Sequence, residues 1–174
     1  MSIVTGGQQF EEALKRLGKR LGTAREVRIG FMEDATYPNG THVASVAAIN
    51  NFGAPTAGIP ARPFFTDMIV AKSAGWAPRF AENLKATDYS AKMALGRLGL
   101  VIDSQLRRSI VEYSAVPNSP VTDLLKQRFP TGDGVTFSDV QRARADVEAG
   151  KKAPAGKPLM WSGNMEKSVS FEVI

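Results

Sequence analysis

Apolar residues recur at steps of three or four along Thr87–Tyr113. Ala91, Leu95, Leu98, Ile102, Leu106, Ile110 and Tyr113 share one face, while Lys92, Arg97, Asp103, Arg107, Arg108 and Glu112 lie mostly off it. The spacing predicts a long amphipathic helix, capped by Thr87 or Asp88. Met93, Leu100 and Val101 widen the apolar arc, which predicts contacts on more than one side. Gly96 and Gly99 each cost such a helix about 1 kcal/mol relative to alanine. A close-packed neighbour can offset that cost, because glycine lets another chain approach.

Shorter patterns flank this helix. Gly7–Leu21 carries a narrow stripe of Phe10, Leu14, Leu17 and Leu21, with Lys and Arg opposite, Thr5 or Gly6 as its cap and Gly22 as its stop. Arg25–Glu33 alternates Val27, Ile29 and Phe31 with Arg28, Gly30 and Met32, the period of a strand. Pro38-Asn39-Gly40 is a turn signal. Thr41 caps a helix to about Asn51, with Val43, Val46, Ile49 and Phe52 expected inside. The prolines of APTAGIPARPFF impose an extended path that ends when Pro63 opens a helix into the eighties. That helix is expected to bury Phe64, Met68, Ile69, Trp76, Phe80 and Leu84, and to bend or break at Gly75 and Pro78.

Ser114–Lys157 is polar and irregular. Within it Ser119-Pro120 opens a short helix through Leu124, Leu125 and Phe129. Phe137-Ser138-Asp139 opens another, with Val140 and Val147, and Gly150–Gly156 reads as a flexible, basic linker. Near the end Ser162 or Asn164 caps one helical turn. Val169, Phe171 and Val173 then alternate with Ser168, Ser170 and Glu172 as a final strand, fit to pair with Arg25–Glu33. The expected fold is α+β: one domain over residues 1–174, a small and mainly antiparallel sheet covered on one face by helices, a long central helix, and an extended arm at about 115–156.

Composition narrows the chemistry. A chain of 174 residues can bury roughly 70% of its unfolded surface and needs no covalent staple. There is no cysteine, hence no disulfide, thiolate metal site or cysteine nucleophile. His42 is the only histidine, a poor basis for a metal site or a general base. Gly96-Arg97-Leu98-Gly99 falls inside a helix with no strand before it, so it is not a phosphate loop. Ser162-Gly163 has no histidine nearby, and no carboxylate pair is placed at a shared site. No catalysis, cofactor or metal is expected. The start lacks a charged-then-apolar leader, and no apolar run reaches the ~20 residues that span a bilayer. The net charge is +5, with Lys15, Arg16, Lys19, Arg20, Arg25 and Arg28 grouped early and Lys151, Lys152 and Lys157 late. Such patches attract phosphates, which raises the alternative of a nucleic-acid-binding module built on the first helix.

Three segments together resemble one family. Val27–Phe65 is similar to the first half of the tail-completion and minor tail proteins (protein Z-like, head–tail connectors) of long-tailed bacteriophages. That family runs from a strand ending in Gly-Phe, through a Tyr-Pro-Asp/Asn-Gly turn and a helix ending in Phe-Gly, to an Ile-Pro-x-Arg-Pro-Phe-Phe string. The matching residues are Gly30, Phe31, Tyr37, Pro38, Gly40, Ala48, Asn50, Phe52, Gly53, Ile59, Pro60, Arg62, Pro63, Phe64 and Phe65. Asn118-Ser119-Pro120-Val121-Thr122 resembles its Leu-Ser-Pro-x-Thr signal. Pro158-Leu159-Met160-Trp161-Ser162-Gly163, with Ser168 and Val169, resembles its closing Pro-Leu-x-x-Thr-Gly element. Asn118 and Ser162 depart from the usual residues, and Arg128–Gly156 looks inserted.

The resemblance implies a structural protein of the virion tail or neck, made in the host cytoplasm and acting at the head–tail junction. It implies a homo-oligomeric ring, with a hexamer the favoured order, closed by a heterologous contact. Its partners would be the tail terminator or tube and the neck proteins, with genomic DNA passing non-specifically and no membrane. Ile59, Pro60, Arg62, Pro63, Phe64, Phe65, Pro158, Leu159 and Trp161 become the expected subunit or partner interface. The apolar excess of the central helix, the proline-rich connector and the arm would reach neighbouring subunits.

Overall fold

The computed structural model describes residues 7–174. The elements, in chain order, are α1 (Gly7–Leu21), β1 (Val27–Phe31), α2 (Val43–Phe52), α3 (Phe64–Lys72), α4 (Trp76–Ala86), α5 (Ala91–Glu112), α6 (Pro120–Arg128), α7 (Phe137–Glu148), α8 (Asn164–Lys167) and β2 (Val169–Val173). The first and last strands pair antiparallel, with Ile29 opposite Phe171. This is the expected α+β fold: a two-stranded sheet, helices packed on it, and the long helix α5 between the sheet on one side and α3 and α4 on the other.

The core follows the apolar face of α5. Leu98, Ile102, Leu106 and Ile110 join Val43, Ala47, Phe64, Met68, Leu159, Met165 and Val169 in one buried cluster. Each side chain of this size contributes about 1.5–3 kcal/mol when fully buried. Gly99 is needed here, since a Cβ at that position would lie 2.4 Å from the Phe171 ring. Gly96 has no such reason, because a Cβ there meets open space. Arg107 ties α5 to the end of the chain. Its Nε donates to Asp103 Oδ2 at 2.7 Å, its Nη1 to the Glu166 carbonyl at 2.8 Å, and its Nη2 to the Val169 carbonyl. Donating to the Asp103 carboxylate raises the Arg107 pKa further.

Several boundaries differ from expectation. The central helix begins at Ala91, because Asp88 and Tyr89 take left-handed conformations (φ 51° and 63°) that no helix continues through. Ser90 is its cap, and the Thr87 hydroxyl instead donates to the Asn83 carbonyl at the end of α4. The helix expected from Pro63 into the eighties is two helices, separated by a tight turn at Ser73–Gly75. Pro78 does not break α4, since it lies in the first turn where a missing N–H costs nothing. Ile69 is partly exposed and does not join the core. On α2 the inner face is Val43, Ala47 and Asn51, while Ile49 and Phe52 point outward. Asn51 explains this rotation: its Oδ1 accepts from the N–H groups of Phe65 and Thr66 (3.0 and 3.2 Å), capping α3 from a neighbouring helix. The residue before α2 is His42, whose ring Nδ1 donates to the Glu33 carbonyl at 3.1 Å. The turn preceding the last short helix is closed by Ser162, whose Oγ accepts from the Asn164 N–H. The cap expected for α1 at Thr5 or Gly6 lies outside the described residues.

The segment after α5 has a core of its own. Leu124 and Leu125 on α6 pack with Ala143 on α7, joined by Val121, Phe129, Val140, Val147, Ala153 and Trp161. The helix at Phe137 has a capping box, in which the Thr136 side chain and Asp139 each accept the other's backbone N–H. The stretch after Gly150 is irregular but pinned. Gly156 N donates to Asp123 Oδ1 at 3.0 Å, and Lys151 pairs with Asp146. Asn118 Nδ2 reaches the Gly156 carbonyl at 3.3 Å, so the excursion begins and ends at one place.

Candidate assembly cleft

A cleft of about 1030 Å³ opens between α6, with the loop that follows it, and the segments around Tyr37, Arg62 and Pro158. Its walls include Tyr37, Pro38, Arg62, Asn118, Lys126 and Trp161. The three segments that carry the resemblance, distant in sequence, therefore meet here.

Local rules place each of these residues. Gly40, at φ 82°, turns the chain so that its N–H reaches the Tyr37 carbonyl at 2.9 Å. This sets Tyr37 half-buried at one rim, where burial raises its hydroxyl pKa. Gly53 sits against the Ile59–Ala61 backbone, where a Cβ would lie 2.8 Å from Ala61 N. Only glycine admits that approach, which brings the Ile-Pro-x-Arg string alongside α2. Arg62 then spans to the far wall, its Nε donating to the Val116 carbonyl at 3.3 Å and its Nη2 to the Pro117 carbonyl at 3.2 Å.

Lys126 closes the opposite side. From the last turn of α6 its Nζ donates to the carbonyls of Lys157, Pro158 and Met160, at 2.6, 3.3 and 3.0 Å. Burial lowers its pKa, Asp123 opposes that shift, and Arg62 adds to it. Trp161 Nε1 donates to the Phe129 carbonyl at 2.6 Å. Leu159 and Trp161, two positions apart, enter different cores.

The nine expected interface residues divide accordingly. Arg62, Pro158, Leu159 and Trp161 line the cleft. Pro60 is exposed, Ile59 is half-buried in a small bridge with Ala54, and Pro63 is half-buried at the start of α3. Phe64 and Leu159 require correction: at 2% and 7% exposure they belong to the main core and offer no docking surface. Phe65 packs partly against that core, its ring 6.4 Å from Phe64. The sequence reading missed Lys126 and Asn51. Neither carries a local signal, since one bonds to carbonyls 31 or more positions away and the other to N–H groups of the next helix.

Apolar side chains also stand uncovered on the outward surface. No residue of α1 is buried, and Phe10, Leu14 and Leu17 are exposed. Met93 and Leu100 of α5 are exposed as well. Among the described residues no group of three or more His, Cys, Asp or Glu side chains could hold a metal ion, and no helix is long and apolar enough to cross a membrane. No protein-family model, curated protein or solved structure matches the chain.

Proposed function

We propose that this chain is a structural virion protein at the head–tail junction of a long-tailed bacteriophage, where copies assembled as a ring complete the tail or join it to the neck. The observation that supports this reading is the convergence of the three resembling segments on one cleft. Chance matches to short motifs have no reason to meet in space. These do, and from the cleft Arg62, Asn118 and Trp161 donate to the Val116, Gly156 and Phe129 carbonyls behind it. In this reading the motif residues set the shape of the subunit, and exposed apolar helix faces join one subunit to the next. A closed ring then requires two different, complementary surfaces on each copy.

The test is a map of the assembled virus neck by cryo-electron microscopy, supported by light scattering and negative-stain imaging of the purified chain. The expected result is a ring of this chain coaxial with the tail tube. Density placing the chain elsewhere in the virion overturns the reading.

A second reading rests on the exposed basic residues of α1, of which Arg16 and Lys19 make no ion pair among the described residues. In that case binding to duplex DNA weakens steeply with salt as counterions are displaced. A connector shows little affinity for free DNA at any ionic strength.

A further inference from the structure

The cleft leaves one charge unused on each of two facing walls. Among the described residues its charged lining is Arg62, Lys126, Asp133 and Lys167. Arg62 and Lys126 spend their donors on backbone carbonyls. Asp133 stands on the loop after α6, and Lys167 on α8 across the cleft. Both are exposed, and neither makes an ion pair among the described residues. Lys167 lies along its wall at Gly163, its Cε 3.8 Å from where a Cβ at that glycine would be. Opposite charges attract more strongly as the gap between them narrows.

The wall that bears Asp133 is a separate body on a small pivot. Helices α6 and α7 pack chiefly on each other, around a core that shares no side chain with the main one. Chain enters and leaves this body at one place. There Asp123 Oδ1 accepts from Asn118 Nδ2 at 2.8 Å and from Gly156 N at 3.0 Å. Lys126 adds a swivel, since a flexible four-carbon stem carries the ammonium held by the Lys157, Pro158 and Met160 carbonyls. Neither crossing is helical: α5 ends at Glu112, Ser119 caps α6, and α8 begins only at Asn164. Hinges sit in such loop and element-terminal residues. The loop itself rests on a flat surface. At Gly132 a Cβ would lie 3.4 Å from the Trp161 ring, so no side chain interlocks there.

We infer that the α6–α7 pair is a jaw that swings about Asn118, Lys126 and Gly156 and shuts the cleft by bringing Asp133 to Lys167. The structure shows the open position. The motion belongs to a single chain and does not rest on the assembly reading.

The absence of cysteine allows spin labels to be placed at Asp34→Cys, beside the Tyr37 rim, and at Phe137→Cys, where α7 follows the loop; both positions are exposed. Pulsed electron paramagnetic resonance then measures the distance across the cleft. Labelled chain is diluted into an excess of unlabelled chain, so contacts between copies contribute nothing. The expected result is two distances, that of the open cleft and a shorter one. Asp133→Lys alone, or Lys167→Glu alone, should lower the shorter population by about two- to fivefold, the range for one exposed ion pair. The two changes together should restore it, and added salt should lower it in the parent chain. Neither side chain enters a core, so circular dichroism should be the same for all four chains. A single distance in every condition, single reversals that match the parent, or a double exchange that stays open overturns the inference.

Discussion

Two glycines three positions apart on α5 show how a residue's cost is decided by its neighbours. Both weaken the helix by about 1 kcal/mol relative to alanine. Only Gly99 returns that loss inside the chain, because Phe171 lies where its Cβ would be. Gly99→Ala is therefore expected to lower unfolding free energy by about 1–3 kcal/mol, the usual range for overpacking a core, less what the better helix former restores. Urea denaturation measures this, and a variant as stable as the parent would show that the ring shifts without strain. The sequence marks both glycines as costly but does not distinguish them. The Phe171 ring that does so comes from the far end of the chain.

Elements whose ends are set by nearby residues were legible: α1, α6 with Ser119-Pro120, and both strands fall close to where periodicity puts them. Those set by distant residues were not. The inner face of α2 turns on Asn51, which acts on another helix, and α5 starts late because of two left-handed residues that no pattern announces. The helix α7 illustrates a local control with a measurable consequence. Asp139 is held below the ordinary carboxylate range chiefly by the Thr136 side chain and N–H, and Asp146 by Lys151 and Arg128. A carboxyl lowered in the folded state stabilises it fully above its unfolded value, near pH ~3.9, and ceases to as pH falls through the lower folded value. Amide exchange across this window should show α7 losing protection before the buried centre of α5. Unchanged protection in α7 would mean that these bonds contribute nothing. Asp146→Asn should bring part of the same loss to neutral pH.

The whole molecule has two cores held together by long polar side chains. The candidate cleft was legible only as separate motifs, since periodicity reports which side chains are buried and not which segments meet. Arg62 and Lys126, which close it, act on backbone carbonyls that carry no residue code. The main core contains none of the α6 or α7 side chains. Replacing residues 119–155 by a short glycine-serine link should therefore leave a body that unfolds cooperatively, with less helix by circular dichroism. Loss of cooperative unfolding would show that the second core supports the first.

That outcome depends on the hydrogen bond between Asn118 and the Gly156 carbonyl, which brings the two ends of the excursion together. Chain that departs and re-enters through one doorway exerts little leverage on what lies behind it. Loop-closure entropy rises by only about 0.6 kcal/mol for each doubling of length. The position between Asn118 and Gly156 is accordingly a socket: peptides of very different size, including a fluorescent domain or an epitope, can be carried there without disturbing the main core.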